Sequence, residues 1–161
     1  GFLSGGERNR VLTIMKDSRV GSMGTSVVVL VFILDYVLLA GTPTGLRVEA
    51  LLTAPAVSRL AMVIAMYHSV HARAEGGLAT PFLEASDLIS VVTAFLVTTA
   101  LCSVALGLVP SVVLCSIAAV LARVATWYST KRIGGITGDV LGAVNEITFP
   151  VSLLVIRLLN P

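Results

Sequence analysis

The fold class this sequence predicts is an all-α polytopic bundle of membrane-crossing helices, about five crossings with a short interfacial helix before them. Three observations predict it. Of 161 residues, 56% are hydrophobic and only 12% charged, and the mean hydropathy of +0.96 lies far above that of a soluble domain. The stretch 88–108 is free of charge over 21 residues, and a helix of that length rises about 31 Å against a hydrocarbon core of roughly 30 Å. Unpaired backbone cannot sit in lipid, so the other apolar runs are helices as well.

At the N-terminal end, Ser4-Gly5-Gly6-Glu7 has capping-box spacing. Val11, Leu12, Ile14 and Met15 follow at helical intervals among Arg8, Arg10 and Lys16. This predicts a short helix lying on the membrane surface, basic side toward the headgroups. Asp17-Ser18-Arg19 with Gly21 and Gly24 ends it. Residues 25–41 form the first crossing, short and interrupted by Asp35, hence a tilted or half-buried helix. Thr42-Pro43-Thr44-Gly45 is a tight turn, and 48–67 crosses back with Arg59 at its middle. Residues 68–87 are the longest polar stretch, with Ser86-Asp87 placed to cap the uncharged helix that follows. Two more crossings at 110–129 and 140–158 are separated by a loop ending at Asp139. No repeat or domain boundary appears, so residues 1–161 read as one membrane domain.

Charge placement gives an orientation. Arg8, Arg10, Lys16, Arg19, Arg73, Lys131 and Arg132 lie in three segments that five crossings put on one side, and Arg47 and Arg157 lie on the other. The positive-inside rule then places the N-terminus and both polar loops in the cytosol of a bacterial plasma membrane. The net charge of +2 does not point to nucleic acid. Cys102 and Cys115 stand in different crossings with no metal or disulfide spacing, which predicts packing. The chain begins at Gly1 without a signal peptide, and reads as part of a longer protein.

The segment from Lys131 through Arg132, Gly134, Gly135 and Gly138 to Asp139 sets cations, glycines and a carboxylate before an apolar helix. Glycines let main-chain N–H groups face an anion, and the helix start adds its positive dipole end. This suits phosphate, although an ordinary turn between membrane helices uses the same residue types. Ionisable groups inside crossings cost about 2.5 to 3.5 kcal/mol each, so each needs a partner or a purpose. Here these are Arg59, Arg123 and Glu146, with Asn145 beside the last. Asp139, Gly142 and Glu146 share one helix face at i, i+3 and i+7. Structural alternatives are pairing of Arg59 or Arg123 with Glu146, and a Gly138–Gly142 helix contact. His68 and His71 lack a third metal ligand other than Glu75, and no nucleophile elbow or Walker loop is present. Tyr67, Trp127 and Tyr128 fit an aromatic belt.

These residues resemble the C-terminal two thirds of the cobalamin synthase (adenosylcobinamide-GDP ribazoletransferase) family. The resemblance rests on Ile14-Met15-Lys16-Asp17-Ser18-Arg19-Val20-Gly21 with Gly24, on Ser58-Arg59, and on Ala72-Arg73 through Glu75-Gly76-Gly77-Leu78. It closes on Arg132-Ile133-Gly134-Gly135-Ile136-Thr137-Gly138-Asp139-Val140-Leu141-Gly142-Ala143 with Asn145-Glu146. It implies transfer of a cobinamide phosphoryl group from adenosylcobinamide-GDP to α-ribazole or its phosphate, with release of GMP and assistance from Mg2+, late in cobalamin biosynthesis. On that resemblance Lys16, Asp17 and Asp139 are catalytic, and Arg19, Arg59, Arg73, Arg132, Gly134, Gly135, Gly138 and Asn145 bind substrate. Asp139 and Glu146 hold metal. The expected partners are the two substrates and the lipid bilayer, and self-association is compatible with them. Nothing here corresponds to the family's upstream acidic, His-containing metal segment, and Phe149-Pro150 stands where an acidic residue and an unbroken helix are usual, predicting a kink. Without that segment the isolated chain is expected to be deficient in metal binding and activity. The rival readings are a transporter or channel component with a path along Arg59, Arg123 and Glu146, and a catalytically inactive assembly subunit.

Overall fold

The computed structural model describes residues 7–17, 21–73, 75–77 and 79–159. Five of its helices are long and apolar enough to cross a membrane, as the sequence predicts. A short helix α1 (Arg8–Lys16) precedes the first crossing α2 (Ser22–Ala40). A 3-10 turn at Thr44–Leu46 leads into α3 (Arg47–Met66), and a single-turn helix α4 (Thr80–Glu84) lies in the following loop. Crossings α5 (Leu88–Leu106), α6 (Leu108–Ile133) and α7 (Gly138–Leu159) complete the order.

Helix ends are set by identifiable residues. Arg47 donates to the carbonyls of Thr42 (3.1 Å) and Ala40 (2.8 Å), supplying the donors that the last turn of α2 lacks. The expected Asp87 cap is present, its Oδ1 accepting the Ser90 N–H at 2.7 Å. Gly107, at φ +81°, stops the uncharged run two residues earlier than hydropathy suggests and starts α6 at Leu108. The expected capping box falls partly on Ser4, outside the described residues. Glu7 is the residue before α1, but no side-chain cap bond forms there.

The centre of the bundle is α3, which packs against α5, α6 and α7, while α2 lies against α7. Its buried face is mostly small: Ala50, Ala54, Ser58, Ala61 and Ala65 let neighbouring helices approach closely. The buried hydroxyls of Ser58, Thr148 and Ser152 return to carbonyls four residues earlier at 2.7 to 2.8 Å, so none of these three is stranded. In contrast, α2 and α5 bury only Leu38 and Cys102, presenting lipid-compatible surface nearly all round. Cys102 and Cys115 are buried free thiols, as packing requires. α7 continues through buried Pro150 to Leu159 as one assigned helix. A Cβ added at Gly138 or Gly142 would meet nothing within 4 Å, so these glycines do not mediate a close helix contact.

Candidate functional site

The polar segments meet at one end of the bundle. After α3, the chain returns so that His71 and Ile136 form a parallel bridge, with Ala72 N–H donating to Ile136 O and Ile136 N–H to Val70 O, both at 2.9 Å. Gly135 sits in this junction because a Cβ would collide with the Val70 carbonyl. Its own carbonyl accepts the buried Ser129 hydroxyl at 2.6 Å. At φ +78°, Gly134 reverses the chain after α6, a conformation that disfavours any side chain. Thus two loops more than sixty residues apart become one polar platform.

Helix α1 lies beside this platform. Arg8 Nη2 donates to Ala72 O at 2.8 Å, and its guanidinium packs against Gly134. A cavity of about 490 Å³ opens between them, lined among others by Arg8, Lys16, Arg73 and Glu75. Three cations against one carboxylate leave it electropositive. Lys16 reaches Glu75 at 3.1 Å, with both side chains largely exposed, 69% and 70%. Such a pair contributes little stability and opens readily for an incoming anion.

Arg73 extends to the start of α7, where its Nη2 lies 3.9 Å from Asp139 Oδ2. Two polar atoms at this spot are buried without a hydrogen-bond partner: Arg73 Nε and Thr137 Oγ1. Thr137 is 1% exposed, and leaving a buried hydroxyl unpaired is costly. Both atoms can donate to an oxygen placed beside the positive end of α7. A phosphate oxygen fits that chemistry.

The structure divides the remaining sequence-predicted residues. Asp17 is exposed at the end of α1, its N–H donating to Ile14 O at 3.3 Å. Arg132 is half-buried in the last turn of α6. Gly138 opens α7. Arg19 lies outside the described residues. Arg59, Asn145 and Glu146 belong to a second, deeper cavity of about 260 Å³ that also takes in Asp35 and Ser58. There Asn145 donates to Glu146 Oε1 at 3.0 Å, while Arg59 contacts Met62 Sδ at 3.4 Å. Among the described residues Arg59 forms no salt bridge with Asp35 or Glu146. Arg123 lies elsewhere, donating to Tyr67 O at 3.1 Å over the tyrosine ring, so it lines no path with Glu146.

Asp139 and Glu146 share a face seven residues apart, about 10 Å of helix rise. Among the described residues no three His, Cys, Asp or Glu side chains converge on a metal position. His71 Nδ1 accepts the Arg73 N–H at 3.1 Å and holds the turn that aims Arg73. Three residues escaped the sequence reading of the site. In sequence, Arg8 is one headgroup cation among several, Thr137 one member of a glycine motif, and Asp35 an interruption of an apolar run.

Comparison with known proteins adds identity to this geometry. A family model described as cobalamin-5-phosphate synthase matches residues 1–157. An adenosylcobinamide-GDP ribazoletransferase of Caldanaerobacter subterraneus is 33% identical over 159 residues, covering 99% of this chain and 64% of its own length. Its counterpart in Syntrophobacter fumaroxidans is 41% identical over 152 residues, 91% and 59% of the two chains. That of Chlorobium phaeovibrioides is 32% identical over 150 residues, 92% and 60%. The chain thus spans about three fifths of the length of the curated relatives it matches. No solved structure matches it.

Proposed function

The chain belongs to the cobalamin-5-phosphate synthase family, and from that membership we propose that it carries the diphosphate-binding end of an adenosylcobinamide-GDP ribazoletransferase. The reaction joins a ribose hydroxyl of α-ribazole, or of its phosphate, to the cobinamide-bearing phosphorus. The bond from that phosphorus to the bridging oxygen breaks, GMP leaves with the oxygen, and the hydroxyl proton passes to a base. Such a displacement needs little covalent chemistry from protein; it needs negative charge neutralised and the attacking oxygen oriented.

The observation that carries this reading is the convergence of Arg8, Lys16 and Arg73 on one cavity with Asp139 at 3.9 Å from Arg73. Arg8, Lys16 and Arg73 bind the diphosphate, Lys16 exchanging Glu75 for a phosphate oxygen. Thr137 and the free N–H groups of the first turn of α7 donate to the phosphoryl being transferred. Asp139, held by Arg73, accepts the hydroxyl proton. Mg2+ belongs to the proposal as a charge partner of the diphosphate, since this ion is commonly held by one or two carboxylates together with substrate phosphates. The described residues offer it Asp139 and do not form a closed site, so no step here depends on it. By the positive-inside rule, the excess of cations at this end supports a cytosolic side for the site in a bacterial plasma membrane.

The test is to mix membranes carrying the protein with adenosylcobinamide-GDP, α-ribazole and magnesium, and to measure GMP. Release of GMP that depends on α-ribazole supports the proposal. No release from the full-length protein contradicts it.

A further inference from the structure

The backbone from Val70 to Arg73 is fixed bond by bond. The Val70 carbonyl accepts the Ile136 N–H and the Ala72 N–H donates to the Ile136 carbonyl, both at 2.9 Å, so His71 between them is held on both sides. The Ala72 carbonyl accepts Arg8 Nη2 at 2.8 Å, and the Arg73 carbonyl accepts the Gly76 N–H at 3.1 Å. The Arg73 N–H differs: it is met by a side chain of the loop itself, His71 Nδ1 at 3.1 Å. The other nitrogen of the ring lies over Gly77, where an added Cβ would stand 2.8 Å from Nε2. Unlike Gly76 at φ +74°, Gly77 has no left-handed backbone, so what its missing side chain provides is room for the ring.

Arg73 depends on this arrangement. Its side chain is 22% exposed with Nη2 3.9 Å from Asp139 Oδ2, and its Nε is buried without a hydrogen-bond partner. A long, rotamer-rich side chain returns to one place only if its own backbone is fixed, since a small rotation at Cα becomes a large displacement at the guanidinium. Resting on the transfer reading above, we propose that His71 is a positioning residue for the donor diphosphate, acting through Arg73. With Nδ1 bare and the proton on Nε2, the ring accepts the Arg73 N–H and sets the direction in which the guanidinium leaves the loop. A ring carrying a proton on Nδ1 cannot accept that bond, and faces the Arg73 carbonyl, 3.2 Å away, as a donor instead.

The experiment uses the full-length protein in lipid nanodiscs with His71→Leu, His71→Asn, His71→Gln and Gly77→Ala. Asparagine carries an amide oxygen near the place of Nδ1, whereas glutamine carries its amide near Nε2. His71→Leu and His71→Gln are expected to raise KM for adenosylcobinamide-GDP about fivefold, on the scale of one lost hydrogen bond, with KM for α-ribazole unchanged. His71→Asn is expected to restore it to within about twofold, since the acceptor is kept. Gly77→Ala, which displaces the ring without removing it, is expected to act like His71→Leu. In an Arg73→Ala background, His71→Leu is expected to change nothing further, because a residue acting through Arg73 has no route left. Equilibrium dialysis with labelled adenosylcobinamide-GDP is expected to show the same order of affinities. A full further effect in the Arg73→Ala background overturns the proposal, as does an equal rise in both KM values or an asparagine no better than leucine. If the parent releases GMP while none of the His71 variants alters the donor KM, the positioning role falls and the transfer reading stands. If donor binding follows the expected order but the parent releases no GMP, the positioning role stands and the transfer reading fails.

Discussion

Arg73 Nη2 lies 3.9 Å from Asp139 Oδ2, a contact that joins the loop after α3 to the first turn of α7. The Arg73 side chain is 22% exposed and that of Asp139 63%, so the arginine is held in place while the carboxylate remains reachable. Replacing Arg73 with Ala should lower kcat/KM for GMP release by about 10²- to 10³-fold, the usual cost of deleting one preorganised donor to a developing oxyanion. Arg73→Lys should rescue only part of this, because a point charge cannot serve two acceptors in one plane. Steady-state kinetics on both variants checks it.

Gly135 tests the junction between the loops. A Cβ at this position collides with the Val70 carbonyl, so Gly135→Ala should cost about 1–3 kcal/mol through overpacking and lower the thermal midpoint. Gly138→Ala, where nothing stands within 4 Å of the new Cβ, should leave the midpoint where it is or raise it. Thermal unfolding in nanodiscs distinguishes the two.

The Lys16–Glu75 pair is largely exposed, and such pairs contribute about 0–1 kcal/mol. Lys16→Gln should therefore leave the thermal midpoint nearly unchanged while raising KM for adenosylcobinamide-GDP. Glu75→Gln should lower that KM, since it frees Lys16 for the phosphate. Raising the salt concentration should shrink both effects.

How much of this is legible in the sequence depends on the range of the interactions. The five crossings announce themselves in local hydropathy, and the Asp87 cap in a local motif. The early stop of α5 is a local backbone effect as well, but hydropathy cannot register Gly107 and its φ of +81°. The place of Arg8 in the site rests on Ala72, 64 positions away, and nothing in its neighbourhood foretells that. Asp35 looks like a flaw in a short helix until α3 and α7 bring Arg59 and Glu146 to it. The glycines at 138 and 142 fit the usual helix-contact pattern, yet nothing stands within 4 Å of a Cβ built on either.

Asp87 gives a pH test outside the membrane. Hydrogen bonds from the Ser90 side chain and then from its backbone N–H hold the Asp87 carboxyl below its ordinary pKa. A lowered folded pKa means the cap stabilises fully above the ordinary carboxylate range and is lost as pH falls through the depressed value. Asp87→Ala should accordingly lower the thermal midpoint at neutral pH, and the gap from the parent should close on acidification. A gap independent of pH would contradict the cap.

The whole account requires that the loop carrying Arg73 and the turn carrying Gly134 share one side of the membrane. Single cysteines placed at exposed Glu75 and Lys131, in a background with Cys102 and Cys115 replaced by Ala, can be labelled with a membrane-impermeant maleimide in sealed vesicles of known orientation. Both positions should react from the same, cytosolic side, and adenosylcobinamide-GDP should slow both reactions. Labelling of one position from each side of the membrane would contradict the shared site.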